Sequence, residues 1–191
     1  MATKKTKGEQ TREKLIAVAA DLFHRRGYHA VGLNEICAAG ELPKGSVYYH
    51  FPKGKEEIAV AVIDASKEQI ANDIREAVSG AKSDGEFVEL MVGRFAQNLV
   101  QSDFTKGCPI TTINLEMSGE SPVIREACAA AFDYWISLFA GHMEAQGVAA
   151  GDAKMRAEMA LSLIEGAMIV ARARRSTDVL DIAANQIKAL V

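Results

Sequence analysis

Residues 43–51 read Pro43-Lys44-Gly45-Ser46-Val47-Tyr48-Tyr49-His50-Phe51, a run that places a glycine, a small hydroxyl, phenols and an imidazole within about two helical turns. Residues three or four apart share one side of a helix, so Val47 and Phe51 can enter a core together. The same spacing leaves Lys44, Tyr49 and their polar neighbours outside. Because such groups suit DNA phosphates and base edges, the run predicts a short DNA-contacting helix.

Two further helices are predicted before this run. Apolar residues recur at helical spacing at Leu15, Val18, Ala19, Leu22 and Phe23. Thr11 is expected to cap that helix and Gly27 to end it. A second, short helix fits Leu33 to Ala39, and the connector at residues 40–43 opens the third helix at Lys44. This order predicts a helix-turn-helix, the motif whose second helix enters the major groove of DNA.

Several motifs within residues 11–58 match a known pattern: Thr11-Arg12-Glu13-Lys14-Leu15-Ile16, Gly27-Tyr28, the run at 44–51 and Lys55-Glu56. In these motifs the chain resembles the TetR family of ligand-responsive transcriptional repressors. The later Gly107-Cys108-Pro109-Ile110 is similar to the drug-resistance and flavonoid-responsive subgroup. The resemblance implies an all-α fold, with an N-terminal three-helix helix-turn-helix DNA-binding domain followed by a C-terminal helical ligand-binding and dimerisation domain.

The resemblance also implies which residues contact DNA. Three of them approach bases or adjacent phosphates, namely Lys44, Gly45 and Ser46. Four hold the phosphate backbone, namely Tyr48, Tyr49, His50 and Lys55. Asn34 matches a position of the second helix that can also touch DNA.

The chain departs from the family pattern at both ends of the second helix. Val31 and Gly32 stand where the family usually has Thr and then Ser or Thr, and Glu41 stands where it usually has a turn glycine. We therefore expect a weaker helix cap and an altered turn.

The charge distribution agrees with a DNA-binding N-terminal part. The 191 residues carry a net charge of −3, but residues 1–55 hold ten Lys or Arg against five Asp or Glu, and the other residues hold twelve against twenty. The basic part is the candidate for nucleic-acid contact. Residues 3–7, with three lysines, fit an arm that follows DNA, or equally a solubilising tail.

The rest of the chain is predicted to be helical, which divides the protein into residues 1–55 and 56–191. Helices are expected at about 56–78, 85–100, 109–117, 122–147, 152–175 and 177–190. Ser121-Pro122 is expected to start the fourth of these, and Asp152 and Thr177 to cap the last two. No segment reaches the apolar length of a membrane span or the pattern of a secretory signal, so a cytoplasmic protein is expected. Three cysteines without paired spacing indicate neither a disulfide framework nor a metal site, and no cofactor is predicted.

The last two predicted helices carry small and aliphatic residues that suit a four-helix seam between two copies. These are Met155, Met159, Ala160, Leu163, Ile164, Ala167, Met168 and Ala171, with Val179, Ile182, Ala183, Ile187 and Leu190. The alternative is that the same faces close the core of one copy. A homodimer is favoured because one helix-turn-helix grips only a half-site.

The middle helices carry large, mildly polar side chains that fit an effector site. The candidates are Phe87, Met91, Phe95, Phe104, Asn114, Met117, Tyr134, Trp135, Phe139 and His142. The alternative is an ordinary aromatic core. Glu116 either binds a cationic or hydroxylated ligand or faces water, as acids on helices usually do.

The favoured function is a homodimeric repressor that a hydrophobic or aromatic small molecule releases from a pseudo-palindromic double-stranded operator. One alternative is an enzyme using Cys108 with His142 or Glu116, although no catalytic motif supports it. The other is a helical dimer that needs no ligand. A redox role for Cys108 is less favoured than simple packing.

Overall fold

The computed structural model describes residues 5–190. Within them the chain forms α1 (Lys7–Arg26), α2 (Leu33–Ala39), α3 (Lys44–His50), α4 (Lys55–Gly80), α5 (Asp84–Gln101), α6 (Pro109–Met117), α7 (Pro122–Ala145), α8 (Ala150–Arg174) and α9 (Asp178–Lys188), and it forms no strand there. The predicted all-α fold is confirmed. Thr3 and Lys4 of the predicted N-terminal arm lie outside the described residues, whereas Lys7 already belongs to α1.

The first helix begins one turn earlier than predicted. Thr6 is its N-cap: the Thr6 hydroxyl accepts from the Glu9 backbone N–H at 3.3 Å, and the Glu9 carboxylate accepts from the Thr6 N–H at 2.7 Å. This reciprocal capping box satisfies two N–H groups that would otherwise be unpaired. The prediction of Thr11 as the cap is wrong, because Thr11 lies inside the helix and its hydroxyl donates to the Lys7 carbonyl at 2.9 Å.

Two later caps also differ from prediction, while α7 starts at Pro122 as predicted. Ser121 caps α7 by accepting from the Ile124 N–H at 3.2 Å. Asp152 lies in the first turn of α8 rather than before it, and its charge there favours the helix dipole. Thr177 precedes α9 as expected but makes no side-chain cap hydrogen bond.

The turn from α2 to α3 has its left-handed residue where the sequence departs from the family pattern. Gly40 is right-handed with φ −84°, whereas Glu41 has φ 50°. At the other end of α2 the N-cap is Gly32, without a side-chain hydrogen bond. The expected weak cap is therefore confirmed, and the strain of the turn falls on a residue that has a Cβ.

Replacing Glu41 with glycine should stabilise the protein. Relief of the left-handed strain outweighs the entropy that glycine loses on folding, so the free energy of unfolding should rise by about 0.5 kcal/mol in urea denaturation. Ala39→Gly, in the last turn of α2, is the matched control and should lower that free energy by roughly 1 kcal/mol. A loss of stability in Glu41→Gly would show that Glu41 is not strained.

The first three helices pack around fully buried apolar residues, including Leu15, Phe23, Ile36, Val47 and Phe51. The same core continues along α4, which contacts both α1 and α7. The DNA-binding segment therefore sits directly against the larger helical part. Across residues 5–190, no helix is long and apolar enough to cross a membrane.

The structure divides most of the predicted dimer face into two sets, while Val179 and Leu190 are half-buried. Seven of its residues are buried within the protomer: Ala160, Ile164, Ala167, Met168, Ala171, Ala183 and Ile187. Four large apolar residues remain exposed, namely Met155, Met159, Leu163 and Ile182. Packing within one protomer thus accounts for the first set, and only the second is free to meet another molecule.

Candidate functional site

The third helix presents one apolar and one polar side, as its spacing predicts. Val47 and Phe51 are buried, with 1% and 0% of their surface exposed. Lys44, Gly45, Tyr48 and Tyr49 are exposed, the two tyrosines to 61% and 81%. Since large aromatic side chains are usually covered in a folded protein, two exposed phenols on a basic segment indicate a contact surface.

The remaining predicted DNA residues lie around this helix. Asn34 is exposed on α2, and Ser46 is half-buried. The half-buried His50 ring lies edge-on to Tyr49, with ring centroids 4.8 Å apart. Seven of the eight predicted residues therefore lie on α3 or, for Asn34, on α2.

Lys55 lies in a different environment from the other seven residues that are predicted to contact DNA. It is half-buried at the start of α4, and its Nζ lies 4.1 Å from the centroid of the Tyr28 ring. Burial lowers the pKa of Lys55. Its ammonium is thus held against an aromatic face, a cation–π arrangement.

A cavity of about 830 Å³ lies between the DNA-binding segment and the larger helical part. Its wall includes residues from α1, α4, α5, α7 and α8 and from the segment at 102–109. The apolar lining includes Ile16, Ile70, Ile74, Phe95, Trp135, Phe139, Leu161, Ile164 and Met168. A largely apolar concavity of this size fits a small organic molecule.

The lining also includes the polar side chains of Glu165 and His24. The carboxylate of Glu165 accepts from the Thr111 hydroxyl at 2.7 Å and from the Cys108 thiol, and burial raises the pKa of Glu165. On α1, His24 donates through Nε2 to the Gly107 carbonyl, and burial lowers the pKa of His24. Such polar groups orient a ligand in an otherwise apolar site.

Comparison with known proteins gives the family. The family model described as bacterial regulatory proteins, tetR family, matches residues 15–62, and the model of the LmrA/YxaF-like transcriptional regulator C-terminal domain matches residues 85–186. The chain belongs to the TetR family of transcriptional regulators. It is a DNA-binding regulator and not an enzyme.

Several relatives of this TetR-family regulator align with it over nearly their whole length. An uncharacterised HTH-type regulator of Mycobacterium tuberculosis is 33% identical over 94% of this chain and 93% of its own. The regulator LmrA of Bacillus subtilis is 31% identical over 90% and 92%, and the repressor NemR of Escherichia coli is 25% identical over 95% and 94%. A TetR regulator structure from Legionella pneumophila, 24% identical, covers both chains fully with a TM-score of 0.83 and shows the shared fold.

Three of the predicted effector residues line the cavity of this TetR-family regulator: Phe95, Trp135 and Phe139. The Trp135 indole is fixed by donation from Nε1 to the Lys67 carbonyl at 3.0 Å. The other residues predicted for the effector site, including the half-buried Phe104, do not line the cavity.

Those other residues take part in packing and in polar contacts outside the cavity. Phe87 and Met91 are buried, and the Phe87 ring centroid lies 4.6 Å from that of His142. The His142 imidazole pairs with Asp84 at 3.0 Å. The Tyr134 hydroxyl accepts from Arg75, Met117 is buried and Asn114 is half-buried.

Sequence reasoning missed the contribution of α1 and of Glu165 to the cavity. The signal in α1 is a second apolar strip, Ile16, Ala17 and Ala20, beside the core positions Leu15 and Ala19. Two adjacent strips show that the helix is covered on two sides. In α8 the signal is a carboxylate next to Ile164 within the mainly apolar stretch at 159–171.

Glu116 is half-exposed, and its carboxylate also makes a contact that the sequence does not predict. It does not line the cavity, and its carboxylate accepts from the His29 backbone N–H at 2.8 Å. The contact joins α6 to the segment that follows α1. It passes directly over Gly27, where a Cβ would collide with the Glu116 carboxylate oxygens. Glu116 therefore connects the DNA-binding segment to the larger helical part.

The structure favours packing over redox chemistry at Cys108. All three cysteines are buried. Burial raises the pKa of the Cys108 thiol, which disfavours the reactive thiolate. In the part of the chain that the structure describes, no three His, Cys, Asp or Glu side chains form a group that could hold a metal ion.

Proposed function

We propose that this protein is a homodimeric repressor, which a small hydrophobic molecule releases from a pseudo-palindromic DNA operator. The observation that carries the proposal is the composition of the cavity wall. Ile16, Ala17 and Ala20 belong to the DNA-binding segment, whereas Trp135 and Ile164 belong to the larger helical part. An occupant would touch both parts at once, so its binding free energy can depend on their relative position.

Polar contacts around α1 would carry that dependence to the DNA surface. The Lys106 ammonium lies 2.5 Å from the Asp21 carboxylate, and His24 is bonded to Gly107. Together with the Glu116 contact to His29, these interactions join α1 and its C-terminal end to residues 106–116. A ligand that displaces α1 against this segment would change the orientation of α3, and DNA affinity would fall. The coupling is reciprocal, so saturating operator should weaken ligand binding by the same factor.

Two copies are needed to place two α3 helices in successive major grooves, roughly 34–36 Å apart. Exposed Met155, Met159 and Leu163 follow one another at intervals of four along α8, and Ile182 is exposed on α9. These positions support an isologous contact between two α8–α9 pairs. The name of the relative NemR supports repression rather than activation. A regulator of bacterial operators acts in the cytoplasm, where the chromosome lies.

Met159→Glu tests the proposed dimer. In an isologous contact, the introduced carboxylate of one protomer lies near the same carboxylate of the other. Desolvation and repulsion of the two charges should raise the dimer dissociation constant by about tenfold or more. Analytical ultracentrifugation over a dilution series measures that constant. Operator affinity, measured on a site selected from random DNA, should fall in parallel.

The control is Val100→Glu, which adds the same charge to an exposed apolar position, 57% exposed, on α5. It should leave both association and operator binding unchanged. If Met159→Glu associates like the parent, the α8–α9 seam is not the dimer contact. If the parent itself is monomeric and binds no duplex preferentially, the proposed function fails.

A further inference from the structure

One carboxyl group of the cavity wall, that of the half-buried Glu165, has only neutral polar partners. Glu165 is bonded to the Thr111 hydroxyl and the Cys108 thiol. Among residues 5–190, no Lys, Arg or His nitrogen lies within 4.0 Å of its oxygens. A carboxylate that is partly removed from water is stabilised by a cationic partner, because losing hydration of its charge is costly. This carboxyl group therefore lacks the cation that would complete its site.

The other charged groups in the wall already have partners of opposite sign. Arg25 and Lys106 both pair with Asp21, at 3.1 and 2.5 Å. Two acidic wall residues are paired in the same way, Asp73 with Arg94 at 2.8 Å and Glu13 with Lys5 at 2.5 Å. No cation of the wall is therefore free to turn towards Glu165.

Two more basic groups near α1 are also committed. His24 donates to the Gly107 carbonyl, and burial keeps its pKa low, so it is neutral at ordinary pH. Arg172 of α8 donates to the carbonyls of Phe104 and Thr105, at 3.4 and 3.0 Å. The α5 and α7 residues of the wall contribute no titratable side chain.

The same wall includes three aromatic rings, those of Phe95, Trp135 and Phe139. The faces of aromatic rings attract cations, most strongly where water is excluded. A carboxylate beside aromatic rings is a suitable environment for an alkylated or aryl ammonium group, whose charge is spread over an apolar body.

We propose that the cavity selects a lipophilic organic cation, with its positive charge against Glu165 and its apolar body against Trp135 and Phe139. The inference rests on the proposed function insofar as it assigns a ligand class to the same cavity. It concerns binding alone, and it can be tested without DNA.

A pH dependence follows from the burial of Glu165. Burial raises the pKa of this carboxyl group in the empty cavity, and a bound cation favours the ionised form, so binding releases a proton. The affinity of a permanent cation should rise with pH, by up to about tenfold per pH unit, until Glu165 is ionised in the free protein. A neutral ligand should not show that rise.

Trp135 provides the measurement, because it is the only tryptophan of the chain and lies in the cavity wall. We would titrate the full protein with (biphenyl-4-yl)methyl-trimethylammonium and with its uncharged carbon isostere, 4-neopentylbiphenyl, and follow the tryptophan emission. The two probes share one shape and differ in charge. The cation should bind at least about tenfold tighter. A third probe, 4-phenylphenol, carries a neutral donor and should bind more weakly than the cation.

Glu165→Gln should remove the preference for the cation and leave the affinity of the neutral isostere within about twofold, which also reports an intact cavity. Glu158→Gln, at an exposed position of the same helix, is the matched control and should keep the preference. If Glu165→Gln does not fold, the pH dependence of the parent protein takes its place as the test.

The proposal is overturned if the isostere or the phenol binds as tightly as the cation, if Glu165→Gln keeps the preference, or if none of the probes changes the Trp135 emission. Release of the selected operator is measured separately by fluorescence anisotropy. A cation that binds through Glu165 but leaves the operator bound refutes the effector function and supports the inference. If neutral ligands bind best and release the operator, the effector function is supported and the inference is refuted.

Discussion

Gly45→Asp should abolish operator binding while leaving the protein at least as stable as the parent. Gly45 is the second residue of α3, is exposed, and would offer a Cβ open space within 4 Å. Adding a side chain there improves helix propensity, and an acid in the first turn favours the helix dipole. The free energy of unfolding should therefore stay equal or rise by up to about 1 kcal/mol.

The same carboxylate would face DNA phosphates if α3 lies in the major groove as proposed. Repulsion and the loss of close backbone approach should weaken specific binding by at least about 100-fold, or about 2.7 kcal/mol. Fluorescence anisotropy on the selected operator measures the loss, and urea denaturation measures the stability. The opposite signs of the two effects separate a contact role from a folding role.

The control is Gly85→Asp, at the second residue of α5, where a Cβ also meets nothing within 4 Å. It adds the same charge at the same helical position, away from α3. Its operator affinity should match that of the parent at equal salt concentration. If Gly45→Asp binds the operator as well as this control does, α3 does not approach DNA through Gly45.

Gly27→Ala should be the most destabilising of the substitutions considered for this protein. Gly27 ends α1 with φ 83° and ψ 170°, a conformation almost restricted to glycine. A methyl group there would also displace the Glu116 carboxylate from the His29 N–H. Strain and the lost charge-assisted hydrogen bond should together lower the free energy of unfolding by about 3 kcal/mol.

A double-mutant cycle with Glu116→Ala separates these two contributions. Glu116→Ala alone should cost about 1–2 kcal/mol, because it leaves the His29 N–H without its acceptor. In that background Gly27→Ala should cost only the backbone strain, about 1–2 kcal/mol. Equal costs of Gly27→Ala in both backgrounds would show that the α6 contact does not depend on the absence of a Cβ at Gly27.

The helix-turn-helix was predictable because its signals are local. Glycine and proline at residues 40–43 interrupt two short helices, and the spacing of Val47 and Phe51 orients α3 whatever it packs against. The cap of α1 was missed for a local reason as well. Thr6 and Glu9 form a capping box one turn upstream, and the apolar periodicity that starts at Leu15 does not reveal it.

The cavity was not predictable to the same extent, because composition cannot distinguish aromatic core from aromatic lining. Phe87 and Phe139 are both buried, yet only Phe139 lines the cavity. The difference depends on how α4, α5 and α7 are rotated against each other. The dimer face is a similar case, because burial by the protomer's own helices removes Ile164 and Ala167 from the predicted seam and leaves Met159 outside.

Local sequence was thus sufficient for the helical fold, for the family and for the exposed surface of α3, since propensity, periodicity and turn residues act between near neighbours along the chain. Only the tertiary structure showed that α1 forms part of the cavity wall, that Glu165 faces neutral partners and that Glu116 binds the His29 backbone. These features join residues between about 50 and 150 positions apart. Their geometry is a property of helix packing, which no periodicity along a single segment can specify.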